Sequence, residues 1–220
     1  MNSKTLALGA IVVLAASANA QVTKQGAGYL LRAKYSKGQV IRFNTSNKVR
    51  GATAQPGSAI DVTIPITMRV LDVKSGIATV QLKLGEAKLG QSVINPGQTA
   101  VVRLNSRNEG TGTAGGANVA AALPAKAVKV GQTWTATAPI STGMGPSQNM
   151  KATYKFQGLK SVGGRQVAVI TYSVTGFAKG NGTMRLLTSD GTIFDNLAKF
   201  SISASGSPVS VNSEMKRVGA

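Results

Sequence analysis

The sequence contains no cysteine and no histidine. Without cysteine there is no disulfide, no thiol nucleophile and no thiolate metal site. Without histidine the usual general base, the commonest metal ligand and any Ser-His-Asp arrangement are gone as well. Only seven carboxylates occur, and aromatics make up 5% of the chain. So few aromatics argue against a stacking platform for single-stranded nucleic acid. After residue 20 no segment reaches the roughly 18 apolar residues of a membrane-spanning helix, so the mature chain is not expected to be transmembrane.

The first twenty residues read as an export signal. Lys4 supplies a positive start, Leu6 to Ala16 an apolar stretch too short to span a bilayer, and Ala18-Asn19-Ala20 the small-x-small cleavage pattern. Gln21 becomes the new N-terminus, and the expected location is the periplasm or the outside of the cell. No lipobox cysteine follows. The remaining 200 residues are enough for one large β domain, which at this size needs no covalent staple.

What is abundant is positive charge: 25 Lys+Arg against 7 Asp+Glu, a net +18. Loss of Lys4 leaves 24 against 7, or +17. A surface of this sign attracts anionic envelope polymers and lipid head groups, while the bases are spread out and form no dense run specific to nucleic acid.

Most of the mature chain alternates with period 2. Ile64, Ile66, Met68 and Val70 interleave with Pro65, Thr67, Arg69 and Leu71; Val80, Leu82 and Leu84 with Gln81 and Lys83; Tyr154 and Phe156 with Thr153, Lys155 and Gln157. Each run places apolar side chains on one sheet face. Val167–Val174 is apolar on both faces at its start, as suits a central strand. Lys74-Ser75-Gly76, Val162-Gly163-Gly164, Asn181-Gly182 and Asp190-Gly191 read as turns between the runs. The pattern predicts an all-β, mainly antiparallel fold of about a dozen strands with minor helix. A curved sheet or half-barrel and a β-sandwich both fit.

A weak internal repeat runs through this pattern. Lys37-Gly38-Gln39 opens a strand with Ile41 and Phe43; Val130-Gly131-Gln132 opens one with Trp134. A strand pair joined by a glycine turn follows each. The expected organisation is signal peptide 1–20, first β unit 21–104, Gly/Ala-rich linker 105–127 and second β unit 128–220, all within one compact domain. The linker is read as a loop with at most two helical turns, ended by Pro124. Pro139–Pro146 is a second loose stretch.

Gly110–Gly115 spells GxGxxG, but Pro124 cuts short any following helix, no acidic residue stands near 20 positions on, and no βαβ pattern exists. No cofactor is expected. Asp190 and Asp195 can approach across a hairpin, and paired carboxylates are the material of glycoside hydrolysis; yet in Asp-Gly the aspartate ordinarily makes the turn. No catalytic residue, metal ligand or enzymatic activity is predicted. The candidate binding residues are the mid-strand bases Arg42, Arg69, Lys83, Arg103, Lys155 and Arg185, which form one basic face if their strands share a sheet; the alternative is a solvated face guarded against edge pairing. Trp134, the only tryptophan, is read first as a core anchor.

The Lys-Gly-Gln strand opening, Gly76-Ile77-Ala78-Thr79-Val80, Leu123-Pro124 leading to Val130-Gly131-Gln132-Thr133-Trp134, and Ser189-Asp190-Gly191-Thr192 together resemble bacterial exported β-proteins of unknown function. More loosely, the long antiparallel strands look like the half-barrels of lipoprotein carriers, in which a curved sheet holds a lipid. Two functions follow as expectations. One is a noncatalytic envelope or extracellular binding or structural protein whose basic surface meets anionic polymers or membranes. The other is a carrier of a lipid or other apolar ligand in the half-barrel cavity, with methionines such as Met68, Met150 and Met184 adding adaptability. Intact mass of the protein recovered after export should correspond to a chain starting at Gln21; a mature product that retains Lys4 would refute the signal assignment.

Overall fold

A computed structural model of the 220-residue chain describes residues 21–50, 59–89, 92–95, 97–111, 122–140, 148–176, 178–204 and 207–219. The export signal, residues 112–115 of the glycine motif, residues 117–121 of the alanine-rich run and residues 141–146 of the second loose stretch lie outside these. The described residues contain fifteen strands and no helix. They are β1 (Val22–Gln25), β2 (Gly28–Leu31), β3 (Val40–Arg50), β4 (Ala59–Lys74), β5 (Ile77–Leu84), β6 (Ala87–Leu89), β7 (Ser92–Asn95), β8 (Gln98–Leu104), β9 (Gly110–Thr111), β10 (Thr133–Ile140), β11 (Gln148–Val162), β12 (Arg165–Gly176), β13 (Ala178–Leu187), β14 (Ile193–Ala204) and β15 (Ser207–Arg217).

The fold is all-β and antiparallel. One 13-stranded sheet runs in the order β10-β11-β12-β13-β14-β15-β3-β4-β5-β8-β9, with β6 and β7 attached beside β4, while β1 and β2 form a separate hairpin. Each half is a meander. The halves join where β15 pairs with β3, from Ser210↔Arg50 to Arg217↔Phe43. The sheet does not close, because β9 and β10 end it without pairing to one another. The architecture is therefore a single open curved sheet rather than a sandwich.

The internal repeat is visible in hydrogen bonds. In the first half Gly38 N–H donates to Val70 O (2.9 Å), Val70 N–H to Gln39 O (2.9 Å) and Gln39 N–H to Ser36 O (2.9 Å), while Ser36 N–H donates to Gln39 Oε1 (3.2 Å). In the second half Gly131 donates to Phe156 O (2.7 Å), Phe156 to Gln132 O (3.0 Å), Gln132 to Lys129 O (3.0 Å) and Lys129 to Gln132 Oε1 (3.0 Å). The glycines take φ of +81° and +85°, which explains that residue. The glutamine reaches back to an amide three residues earlier, which explains the other. One β-bulge follows Val70 and another follows Phe156. Both hairpins then turn on two residues of positive φ, Ser75-Gly76 and Gly163-Gly164, the geometry of a tight hairpin loop.

Asn181-Gly182 is not a turn, contrary to the sequence reading. Both residues lie inside β13, with Gly182 opposite Tyr172 and Ala198. A Cβ on Gly182 would overlap the Tyr172 ring, and one on Gly180 would overlap the Lys199 carbonyl and crowd Phe200. These glycines let aromatic rings lie flat across the sheet, and such positions accommodate strong curvature. Pro65 sits mid-strand in β4 without harm. It faces the gap where β4 leaves β5 at Ile66↔Leu84 and takes up β6 at Thr63↔Lys88, so no ladder bond is lost on that side.

The inner face carries the core. Phe156, Ile170 and Leu186 from the second half pack with Leu31, Leu123, Val22 and Val128 from the hairpin and the 122–128 segment. Val70, Val80, Leu82 and Val102 form a second cluster in the first half; Ile41, Phe43, Ile66 and Met215 bridge the junction. Residues 167–170 are all buried, since Val167 and Val169 pack with Leu187 and Phe194 on the opposite face, in keeping with a central strand.

The β1–β2 hairpin plugs one end of the concavity. Tyr29 and Val128 exchange backbone bonds of 2.8 and 2.9 Å, Ala33 N–H reaches Ser106 O (2.8 Å) and Lys34 N–H reaches Asp190 O (2.8 Å). Arg32 donates to the carbonyls of Pro124 and Ala125, both at 2.7 Å. Asp190 does make the expected turn: its Oδ1 accepts from Thr192 N–H (2.9 Å) and Thr192 Oγ1 (2.6 Å). Gly191 then passes at φ +66°, so close to Arg32 that a Cβ would overlap its carbonyl oxygen. Gly191→Ala is expected to cost about 3 kcal/mol, from backbone strain plus overlap. Urea unfolding checks this; Gly26→Ala, also at positive φ but with open space around it, should cost clearly less.

Candidate functional site

The alternation that builds the strands leaves an apolar wall facing inward, and part of that wall is unfilled. A cavity of about 530 Å³ lies inside the curve, within the range of roughly 300–1,000 Å³ usual for small-molecule pockets. Its lining draws on strands from both halves and on both free edges of the sheet. Gly110 from β9 and Trp134, Thr135 and Ala136 from β10 face the same space. The two unpaired edges thus bracket the cavity.

One wall is an aromatic row. Trp134 is opposite Tyr154, and Tyr154 opposite Tyr172, on three adjacent strands. Trp134 and Tyr154 stack at 5.3 Å with 16° between planes, and Tyr154 meets Tyr172 at 5.8 Å. The Trp134 indole donates to Ala122 O at 2.9 Å, which fixes the ring and ties the 122–124 segment across the cavity. Trp134 is therefore a packing anchor and a piece of cavity wall at once. Met150, Met184 and Met215 face the same space from β11, β13 and β15. Met68, grouped with Met150 and Met184 by the sequence reading, packs instead into the first-half core.

The electrostatics of the wall are neutral. Among the described residues its only charged lining residues are Arg107 and Glu109, paired at 3.0 Å, with Arg107 Nε also donating to Leu123 O (3.1 Å). Burial pushes the Tyr154 hydroxyl up to about 12, with Tyr172 adding to the shift. Burial raises Tyr172 too, opposed by the hydrogen bond its hydroxyl donates to Asn196 Oδ1 (2.9 Å). Both rings stay uncharged at neutral pH.

The outer face holds the basic set. Arg42, Arg69, Lys83 and Arg103 are exposed on β3, β4, β5 and β8, and Lys155 on β11. Cross-strand register runs Arg42 to Thr67 to Lys83, and Arg69 to Gln81, placing the four on one face of the first half. Arg185 is occupied differently. It clasps the buried Asp195 through Nε (2.6 Å) and Nη2 (2.5 Å) and lies over the Phe194 ring. Of the six bases it alone has a carboxylate partner among the described residues. Asp190 meets Arg217 (3.3 Å) instead, so Asp190 and Asp195 are held by separate arginines. A shallower outer hollow of about 1,030 Å³ is lined by Lys48, Asp61, Lys199 and Asn212 among others, and its Lys48–Asp61 pair at 3.7 Å is exposed.

Thr45, Ser213 and Asn196, polar members of the cavity lining, went unrecognised in the sequence, as did Tyr172, Phe200 and Met215. All except Thr45 lie in the last 50 residues, and only their inward register marks them.

No known family matches the chain, and no curated protein shows significant similarity to it.

The raised Tyr154 hydroxyl sets an alkaline limit. Below pH 10 this tyrosine is neutral folded and unfolded. Above pH 10 the unfolded chain ionises first, so stability intact below that point is lost as pH rises towards about 12. Unfolding free energy measured across this window should fall, and Tyr154→Phe should flatten the fall. An equal slope in that variant would refute the assignment.

Proposed function

We propose that this chain is a noncatalytic exported binding protein that carries an apolar or amphipathic ligand inside its curved sheet. The observation behind this reading is the neutral cavity of about 530 Å³ walled by Trp134, Tyr154, Tyr172 and three methionines. Rigid aromatic walls and adaptable thioethers are materials suited to a hydrocarbon chain. A noncatalytic role is supported by the occupation of Asp190 and Asp195, the nearest approach to an acid/base pair, in a turn and in separate ion pairs.

The second reading concerns the outer face. Arg42, Arg69, Lys83, Arg103 and Lys155, exposed and without a described carboxylate partner, suit contact with an anionic polymer or membrane. The two readings combine if the basic face brings the carrier to a lipid surface.

One titration separates them. The mature protein is mixed with the apolar dye N-phenyl-1-naphthylamine, then with neutral and anionic vesicles. Dye emission should rise, Trp134 fluorescence should change with it, and Ala136→Trp, which fills the cavity, should abolish both changes. Absence of any dye signal would overturn the carrier reading. Reversing Arg42, Arg69, Lys83 and Arg103 to glutamate should remove binding to anionic vesicles at physiological salt and leave the dye signal intact. Retained vesicle binding in that variant would remove the basic-face reading.

A further inference from the structure

The outward positions of the first half mix positive charge with exposed aliphatic side chains, and the register lays them out in rows across the sheet. Arg42 is opposite Thr67, Thr67 opposite Lys83 and Lys83 opposite Thr99. The next row runs Arg69, Gln81, Val101, and the third Asp72, Thr79, Arg103. Val101 is 45% exposed, between outward Thr99 and Arg103 on its own strand. Leu71, in the β4 bulge between Arg69 and Asp72, is 39% exposed.

The charge in these rows is scarcely compensated. Asp72 is their one carboxylate, and Lys37 stands 3.7 Å from it. A hydrated polyanion would meet the four bases and gain nothing from Val101 or Leu71. An anionic bilayer answers both features, with phosphates for the bases and an apolar layer beneath them for the aliphatic side chains. Arginine and lysine stems can lie along that layer while their heads stay at phosphate level. Leu197, exposed on the outer face of the second half, has different neighbours: Thr183 on one side and the carboxylate Glu214 on the other.

We propose that the outer face of the first half docks on an anionic phospholipid bilayer, with Arg42, Arg69, Lys83 and Arg103 on the head groups and Val101 and Leu71 entering the interface. The bases supply attraction from a distance, which salt screens. The aliphatic side chains add a contribution that salt does not screen, because it comes from removing apolar surface from water. This proposal deepens the basic-face reading and rests on it: it selects a membrane over a soluble polymer and assigns the contact to β3, β4, β5 and β8.

The chain has no cysteine, so one introduced thiol can carry a polarity-sensitive fluorophore. Val101→Cys and Leu197→Cys, each labelled in the mature protein, are mixed at physiological salt with phosphatidylcholine vesicles, with vesicles that also contain phosphatidylglycerol, and with heparin. The Val101 label should brighten and shift to the blue on the anionic vesicles alone, while the Leu197 label stays unchanged. In vesicle sedimentation of unlabelled protein, Val101→Gln should weaken binding about fivefold and leave heparin affinity unchanged, and each of the four bases changed to glutamine should also cost about fivefold. Thermal midpoints report whether each variant keeps its fold, and the labels give an answer that does not depend on Val101→Gln. Vesicle binding with a silent Val101 label, with a Leu197 response as large, or with Val101→Gln folded and unaffected overturns the proposal and leaves the basic-face reading standing. Heparin binding without vesicle binding does the same. Binding to neither at physiological salt overturns both.

Discussion

The pairing of β15 with β3 is the constraint on which the rest depends. It joins strands from opposite ends of the chain along eight register positions and makes one sheet of two meanders. Remove it and each half is a separate ribbon, with β3 or β15 left as an unpaired edge. Such a sequence-distant contact must be closed against loop entropy, whereas the hairpins within each half form locally. The junction also carries the bridging cluster of Ile41, Phe43, Ile66 and Met215, so hydrogen bonding and apolar burial favour the same register.

Curvature then determines what the interior becomes. Bulges after Val70 and Phe156 and the strand glycines Gly180 and Gly182 bend the sheet, while Tyr172 and Phe200 cover those glycines from inside. A flat sheet with the same alternation would need a second layer to cover it. This one curls, and the β1–β2 hairpin with the 122–128 segment covers part of the inner face. Leu31 and Leu123, both fully buried, supply much of that cover. The plug is short and the concavity wide, so a cavity persists beside the Trp134–Tyr154–Tyr172 row.

Charge is segregated by the same pleat. Because side chains alternate, the residues between inward Ile41 and Phe43, or between Leu82 and Leu84, must face outward, and there the chain places Arg42 and Lys83. A basic exterior and a neutral interior follow from one periodicity. Arg185 departs from the pattern because it stands directly opposite Asp195 on β14, and the buried carboxylate holds it. Sequence alternation alone made it look like its neighbours.

By itself the sequence determined strand identity, the inward sets such as Ile64/Ile66/Met68/Val70, the Ser75-Gly76, Gly163-Gly164 and Asp190-Gly191 turns, and the kinship of the Gly38-Gln39 and Gly131-Gln132 openings. These are short-range properties, set by period-2 side-chain direction and by the backbone freedom of glycine. Only the tertiary structure decided that Asn181-Gly182 lies mid-strand, since that outcome depends on a Tyr172 ring from the neighbouring strand. It alone decided sheet against sandwich, because alternation says which side chains share a face and nothing about what covers that face. The cavity belongs to this second class. Thr45, Asn196 and Ser213 are ordinary strand residues in sequence, and they line one cavity only when β14, β15 and β3 are brought side by side by a pairing that spans most of the chain.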